Sequence, residues 1–190
     1  MARVTKAIAE EHKQKLVDAA GRLFRARGLD GVGVAEIAQS AGLTHGAIYS
    51  GFASKSELAT AALEAGRELS RSRIAAALGP EPDLAAILNH YISKLQRDDL
   101  VNCCPMLASA SEAARQDAAY RQAFSDIFIK LAAMVEAALE RNTTREARAK
   151  ALAITAGMIG VVAVARTLDP HASDELLGAA RASFAELANT

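Results

Sequence analysis

The stretch VAEIAQSAGLTHGAIY, Val34 to Tyr49, decides how this sequence is read. Ala38, Gly42 and Ile48 stand at relative positions n, n+4 and n+10, with Ile37 and Leu43 beside them. That spacing suits two short helices joined by a tight turn. The small Ala lets the helices cross closely, Gly supplies the left-handed backbone of the turn, and the branched Ile plugs the angle between them. Taken alone, the same pattern serves any short helical hairpin, so its surroundings matter.

Upstream, Leu16, Ala19, Ala20, Leu23 and Phe24 repeat at the spacing of an amphipathic helix over about residues 6–27, which Gly28 ends after Arg25 and Arg27. Gly28, Gly31 and Gly33 punctuate the connection to a helix of barely two turns, Val34 to Ser40. Thr44 offers an N-cap hydroxyl to a third helix that runs to Gly51. Ser54 followed by Glu57 is a capping box, and it opens a long helix through Leu58, Ala61, Ala62 and Leu63 toward Leu78.

Downstream, Gly79-Pro80-Glu81-Pro82 is the clearest stop in the chain. Leu84, Ile87, Leu88, Tyr91, Ile92 and Leu95 then predict one amphipathic helix, and a break falls near Asn102 to Pro105. A segment from Met106 to about Asp117 leads into a stripe from Tyr120 to Leu139, closed by Asn142-Thr143. The last two helices are expected over about Thr144 to Leu168 and Ser173 to Ala188, separated by Asp169-Pro170. The expectation is an all-α protein of about nine helices without strands. It divides into a three-helix head, residues 1–55, and a larger helical body, residues 56–190.

Composition agrees. Of 190 residues 51% are apolar, and aromatic residues are few, with five Phe, three Tyr and no Trp. Abundant Ala and Leu with only four Pro favour helix. Lys plus Arg equal Asp plus Glu at 22 each, but the charge is unevenly placed. Through Lys55 there are eight Lys/Arg against five Asp/Glu, net +3; beyond it there are fourteen against seventeen, net −3. A basic head on an acidic body marks where a polyanion would touch. No apolar run of signal-peptide length opens the chain, and the stretch Ala151 to Ala165 falls short of the ~20 residues of a membrane helix, so a cytoplasmic protein is expected. Adjacent Cys103 and Cys104 make no disulfide framework.

Catalysis, metal and cofactor are not expected. His12, His45, His90 and His171 are scattered without an HExxH or a His/Cys ligand spacing, and the glycines form no phosphate loop. Asp98-Asp99 reads as a solvated helix end rather than an acid–base pair.

From Arg22 to Leu63 the sequence resembles the DNA-binding head of the TetR family of bacterial transcriptional repressors. The matches are Leu23-Phe24, Gly28, Ile37-Ala38, Ala41-Gly42, Ile48-Tyr49, Phe52, Lys55 and Leu58, in register and without a gap. Asn102-Cys103-Cys104-Pro105 is similar to a Gly-Cys-Pro motif in the bodies of some members. The resemblance implies a homodimeric regulator, most simply a repressor released from a palindromic double-stranded operator by a small-molecule effector. The alternative is an all-helical small-molecule-binding or scaffold protein that does not bind DNA.

In the third helix, Thr44 and His45 are the first candidates to reach bases, Gly46 lets the backbone approach, and Ala47 suits a thymine methyl. The resemblance places the Tyr49 phenol on a phosphate, the alternative being a core-edge aromatic. Lys55, at the start of the fourth helix, is expected to hold another phosphate, in competition with Glu57 for the helix amides. Two positions depart from the family: Gly33 replaces a usual Ser/Thr cap, and Gly51 a usual phosphate-contacting side chain. Arg3 and Lys6 on the N-terminal arm could compensate by reaching along the duplex, the alternative and favoured reading being a solvated charged terminus.

In the body, Ile154, Met158, Val161 and Val162 with Leu176, Leu177 and Phe184 are the candidate dimer interface, the alternative being an intrachain core. Ile87, Tyr91, Leu95, Met106, Leu107, Phe124 and Phe128 are candidate effector lining, with Asn89 and His90 as further polar handles; the alternative is packed core. Cys103 and Cys104 either sense redox chemistry or only pack.

Overall fold

The structure, a computed structural model, describes residues 6–140 and 146–189. Arg3 of the arm, the expected stop at Asn142-Thr143 and the expected helix start at Thr144 lie outside the described residues. Every regular element within them is a helix. The head consists of α1 (Lys6–Arg27), α2 (Val34–Ser40) and α3 (His45–Gly51). Next come α4 (Lys55–Leu78), α5 (Leu84–Tyr91), α6 (Lys94–Asp98) and α7 (Pro105–Ala113). The chain ends with α8 (Ala118–Glu140), α9 (Ala147–Ala165) and α10 (Pro170–Asn189).

Ten helices stand among the described residues, one more than the apolar pattern predicts, because the segment from Leu84 to Leu95 is two helices. At Ile92 the backbone leaves the helical region, with φ −88° and ψ 72°. Ser93 then caps α6, its Oγ accepting from the Gln96 amide at 3.2 Å. The restart changes the phase of the stripe: Ile92 is buried, whereas Leu95 is 68% exposed.

The head is organised around α1, which packs on α2, α3 and α4. Leu16, Ala19 and Ala20 of α1, Ile37 and Ala38 of α2, and Ile48 of α3 are all buried. Gly42 makes the turn between α2 and α3 with φ +69°, a conformation that costs a residue with a Cβ about 1–2 kcal/mol. Ala41, Gly42 and Leu43 return their amides to the carbonyls of Ile37, Gln39 and Ala38, so the turn leaves none of these donors unpaired.

α4 belongs to both ends of the molecule. Its first half buries Leu58, Ala59, Ala62 and Leu63, and the helix packs on α1 as well as on α7 and α8. In the body α9 lies against α7, α8 and α10 and buries Ala151, Ile154, Met158 and Val162. By length and composition alone α9 is apolar enough to cross a membrane, which the shorter run read from sequence did not reach. In the fold its buried face is part of the same hydrophobic cluster that includes Leu16 and Ile48 of the head. α6 is pinned to the start of α10 by Arg97, whose Nη1 donates to Ser173 Oγ and Asp174 Oδ1, each at 2.9 Å.

Candidate nucleic-acid interface and effector cavity

α3 is supported from beneath and open above. Ile48 is fully buried and Phe52, just after the helix, is buried against the head core. The opposite side is solvent-facing: Thr44, His45, Gly46 and Ala47 follow one another around the first turn, the first three exposed and Ala47 half-buried. Thr44 takes the N-cap position with φ −77° and ψ 155°, but its hydroxyl makes no capping bond, contrary to the expectation that it caps the helix. That hydroxyl is left to point elsewhere. Tyr49 is 58% exposed, so it is not a core-edge aromatic. Its ring meets His45 edge-on at 5.4 Å between centroids, which orients both side chains on the open face.

Lys55 sits at the first position of α4 with its Nζ 6.0 Å from the centre of the Phe24 ring. One amide of the first turn of α4 is already engaged. Ser54 Oγ accepts from Glu57 N at 3.1 Å, and Glu57 reaches back past the cap residue to accept from Ala53 N at 2.7 Å, a variant of the expected capping box. Gly33 is the N-cap of α2 and makes no side-chain cap bond, and Gly51 lies near Lys13.

The body encloses a cavity of about 830 Å³ between α4, the α5–α6 region, the start of α7, and α8. Three of the sequence-predicted lining residues, Tyr91, Leu95 and Met106, border it, and so does His90. Ile87, Leu107, Phe124, Phe128 and Asn89 do not: Ile87 and Leu107 are buried elsewhere in the core, and Phe124 and Phe128 pack against it. Cys103 and Cys104 both border the cavity as free, buried thiols, and burial pushes the Cys104 thiol up from its ordinary value. Burial likewise pushes the Tyr91 hydroxyl well up and the His90 imidazole down, so both favour their neutral forms.

Sequence reasoning overlooked what α4 brings to this cavity. Arg67, Arg71 and Ile74 share one helical face, at spacings of four and three, and all border the cavity together with Arg73. That spacing was the available signal.

The candidate dimer residues need correction. Ile154, Met158, Val162 and Leu177 are buried within the chain itself, because their faces of α9 and α10 pack on α7, α8 and each other. Phe184 also turns inward: a Cβ at Gly157 would lie 2.3 Å from its Cζ, so α10 seats this ring on α9. Val161 and Leu176 are half-buried. The outward face of α9 is a different stripe, formed by Ala149, Ala153, Ala156, Gly160 and Val164, all exposed.

Residues 16–62 match the family model for the bacterial regulatory proteins of the tetR family. Residues 80–182, more than half of the chain, match the C-terminal domain of the LmrA/YxaF-like transcriptional regulators. The chain belongs to the TetR family of transcriptional regulators. Its head is 48% identical over 58 residues to the HTH-type transcriptional regulator AcrR of Shigella flexneri, covering 30% of this chain and 27% of that protein. This TetR-family chain thus spans less than a third of AcrR in the match. With LmrA of Bacillus subtilis it is 26% identical over 145 residues, 74% of this chain and 77% of that one. The fold matches a TetR-family regulator from Cytophaga hutchinsonii with a TM-score of 0.80 at 19% identity, covering 97% of this chain and 98% of that one.

Proposed function

We propose that this TetR-family regulator is a homodimeric, cytoplasmic repressor that occupies a roughly palindromic operator and leaves it when a small molecule fills the body cavity. The observation that carries the reading is the open face of α3, where His45 and Tyr49 are ordered against each other on a helix whose underside is locked by Ile48. Thr44, His45 and Ala47 read base edges in the major groove, with Gly46 giving close approach; Tyr49 and Lys55 hold phosphates and set the register. The function needs binding only, without a catalytic group, metal or cofactor.

One short helix covers few base pairs, so affinity requires two heads about 34 Å apart on one side of the duplex. The exposed small-residue stripe of α9 supports pairing of two bodies, since small side chains let helices approach closely. Two helices connect the cavity to the head. α4 carries Arg67 and Ile74 at the cavity and Lys55 and Leu58 in the head. α7 begins at the cavity with Pro105 and Met106 and, near its other end, Glu112 accepts a hydrogen bond from the head. A ligand that displaces either helix changes the spacing of the heads.

The test is titration of a labelled duplex from the protein's own upstream region. A repressor of this kind binds as a dimer, with affinity falling steeply as salt rises. Binding to that duplex no tighter and no more salt-dependent than to any other sequence would reject an operator there.

A further inference from the structure

The cavity has two chemically distinct parts. Its floor is apolar, built from buried Met106 and Ile127, and it contains one polar atom in the wrong place: Tyr91 is 2% exposed and its hydroxyl has only the Cys104 thiol, a weak partner, beside it and makes no hydrogen bond of good geometry. A buried hydroxyl left poorly paired destabilises the fold, a penalty that a bound molecule with a hydrogen-bonding group would remove. The rim is cationic. Arg67, Arg71, Arg73 and Lys130 border the cavity against a single carboxylate, Asp99, although the body as a whole carries more acid than base. Glu68 pairs with Arg71 at 2.6 Å, leaving Arg73 and Lys130 without a carboxylate at ion-pair distance among the described residues. Arg73 is held in place by donating to Asn102 O at 2.8 Å and Asn102 Oδ1 at 3.2 Å. Asp99 is occupied in its turn by the Asn102 amides, at 2.9 to 3.2 Å.

We propose that the cavity takes an amphiphilic organic acid, with its anionic group at Arg73 and Lys130 on the rim, its apolar body over Met106 and Ile127, and a neutral hydrogen-bonding group at the Tyr91 hydroxyl. The orientation follows from desolvation. A carboxylate beside Tyr91 would be buried, and the cation that Tyr91 senses, Arg166, is already donating to the Gln96 and Arg97 carbonyls, whereas at the rim it keeps water and two positive charges. The proposal names the class of effector and so rests on the reading of the cavity as the effector site.

Calorimetric titration of the full chain with decanoate, 1-decanol and decylamine tests the anionic end. Decanoate binds about tenfold more tightly than the alcohol, and the amine binds worst. Arg73→Gln and Lys130→Gln, each separately, reduce the preference for acid over alcohol several-fold, as partly screened ion pairs should. Equal binding of acid and alcohol, no binding of any probe, or an undiminished preference in both variants overturns the proposal. The neutral end is read with ω-hydroxyoctanoate, ω-hydroxydecanoate and ω-hydroxydodecanoate. At least one exceeds its unsubstituted acid, and Tyr91→Phe abolishes that advantage while leaving binding of the unsubstituted acids unchanged and the melting temperature no lower. If no hydroxy acid gains, or the gain survives Tyr91→Phe, the Tyr91 contact is wrong. The same acids added to the operator complex separate the two readings: tight binding without release of DNA upholds this ligand class and removes the effector role instead.

Discussion

Glu112, on α7 in the body, accepts a hydrogen bond from the backbone amide of Leu29, just after α1 in the head, at 2.9 Å. Leu29 follows Gly28, whose left-handed backbone, φ +77°, ends α1 and turns the next amide toward the body. A Cβ at Gly28 would lie 2.7 Å from Glu112 Oε1, so to fit one the carboxylate would have to move. The body thus grips the main chain of the head at the point where α1 stops.

Loss of that grip is measurable. Glu112→Ala leaves the part-buried Leu29 amide unpaired and should cost about 1–2 kcal/mol, lowering Tm by about 2–8 °C. Glu112→Gln keeps an acceptor and should cost less. Equal Tm values for the wild type and Glu112→Ala in a thermal scan would show that the bond contributes nothing.

On the DNA side, Tyr49→Phe and Lys55→Ala should weaken binding to all duplexes alike, with Lys55→Ala also reducing the salt slope by about one. His45→Ala should change which bases are preferred at one position of each half-site, by about 1–3 kcal/mol. Binding assays against a panel of single-base operator variants distinguish these roles; an identical, sequence-independent loss in all three proteins would refute them.

For self-association, Val164→Glu and Ile154→Ala should separate. Val164 is 50% exposed on the outward stripe of α9, so a charge there should yield folded monomers in light scattering. Ile154 is fully buried, and truncating it should cost about 2–5 kcal/mol of stability while the folded fraction keeps its dimeric mass. A dimer that tolerates Val164→Glu would place the interface elsewhere.

Acid should loosen the join between α6 and α10. Hydrogen bonds from Lys94 Nζ at 2.6 Å and from Arg97 Nη1 at 2.9 Å hold the Asp174 carboxyl below its usual value. A depressed carboxyl stabilises the fold above its ordinary pKa of about 4 and loses that contribution as pH falls through the lower, folded value. Asp174→Asn should therefore lower Tm at neutral pH, and the gap from wild type should close as pH drops below about 4. A gap that stays constant with pH would assign the effect to packing.

The head was legible in the sequence because its constraints are local and steric. Ala38, Gly42 and Ile48 each answer to a neighbour within a few residues, and the Ser54–Glu57 cap forms as written. The body was less so. Ile154 and Val164 lie on one apolar helix with no polar face to orient it, and only the packing of α8 and α10 decides that the first goes in and the second out. The same holds for Ile87 and Tyr91, both buried on α5, of which only Tyr91 borders the cavity. Ser93 was a readable helix start, but the hydrophobic stripe ran across it and hid the break that turns Leu95 outward.

Because α4 fills the underside of α1 with Leu58, Ala62 and Leu63, a fragment cut at residue 55 would be an incomplete object, with Leu16 and Ala20 stripped of their cover. Anyone grafting this recognition unit onto a foreign partner must carry the long helix along and splice at the Gly79-Pro80 corner. On the proposed function, specificity is portable only together with the helix that joins it to the cavity.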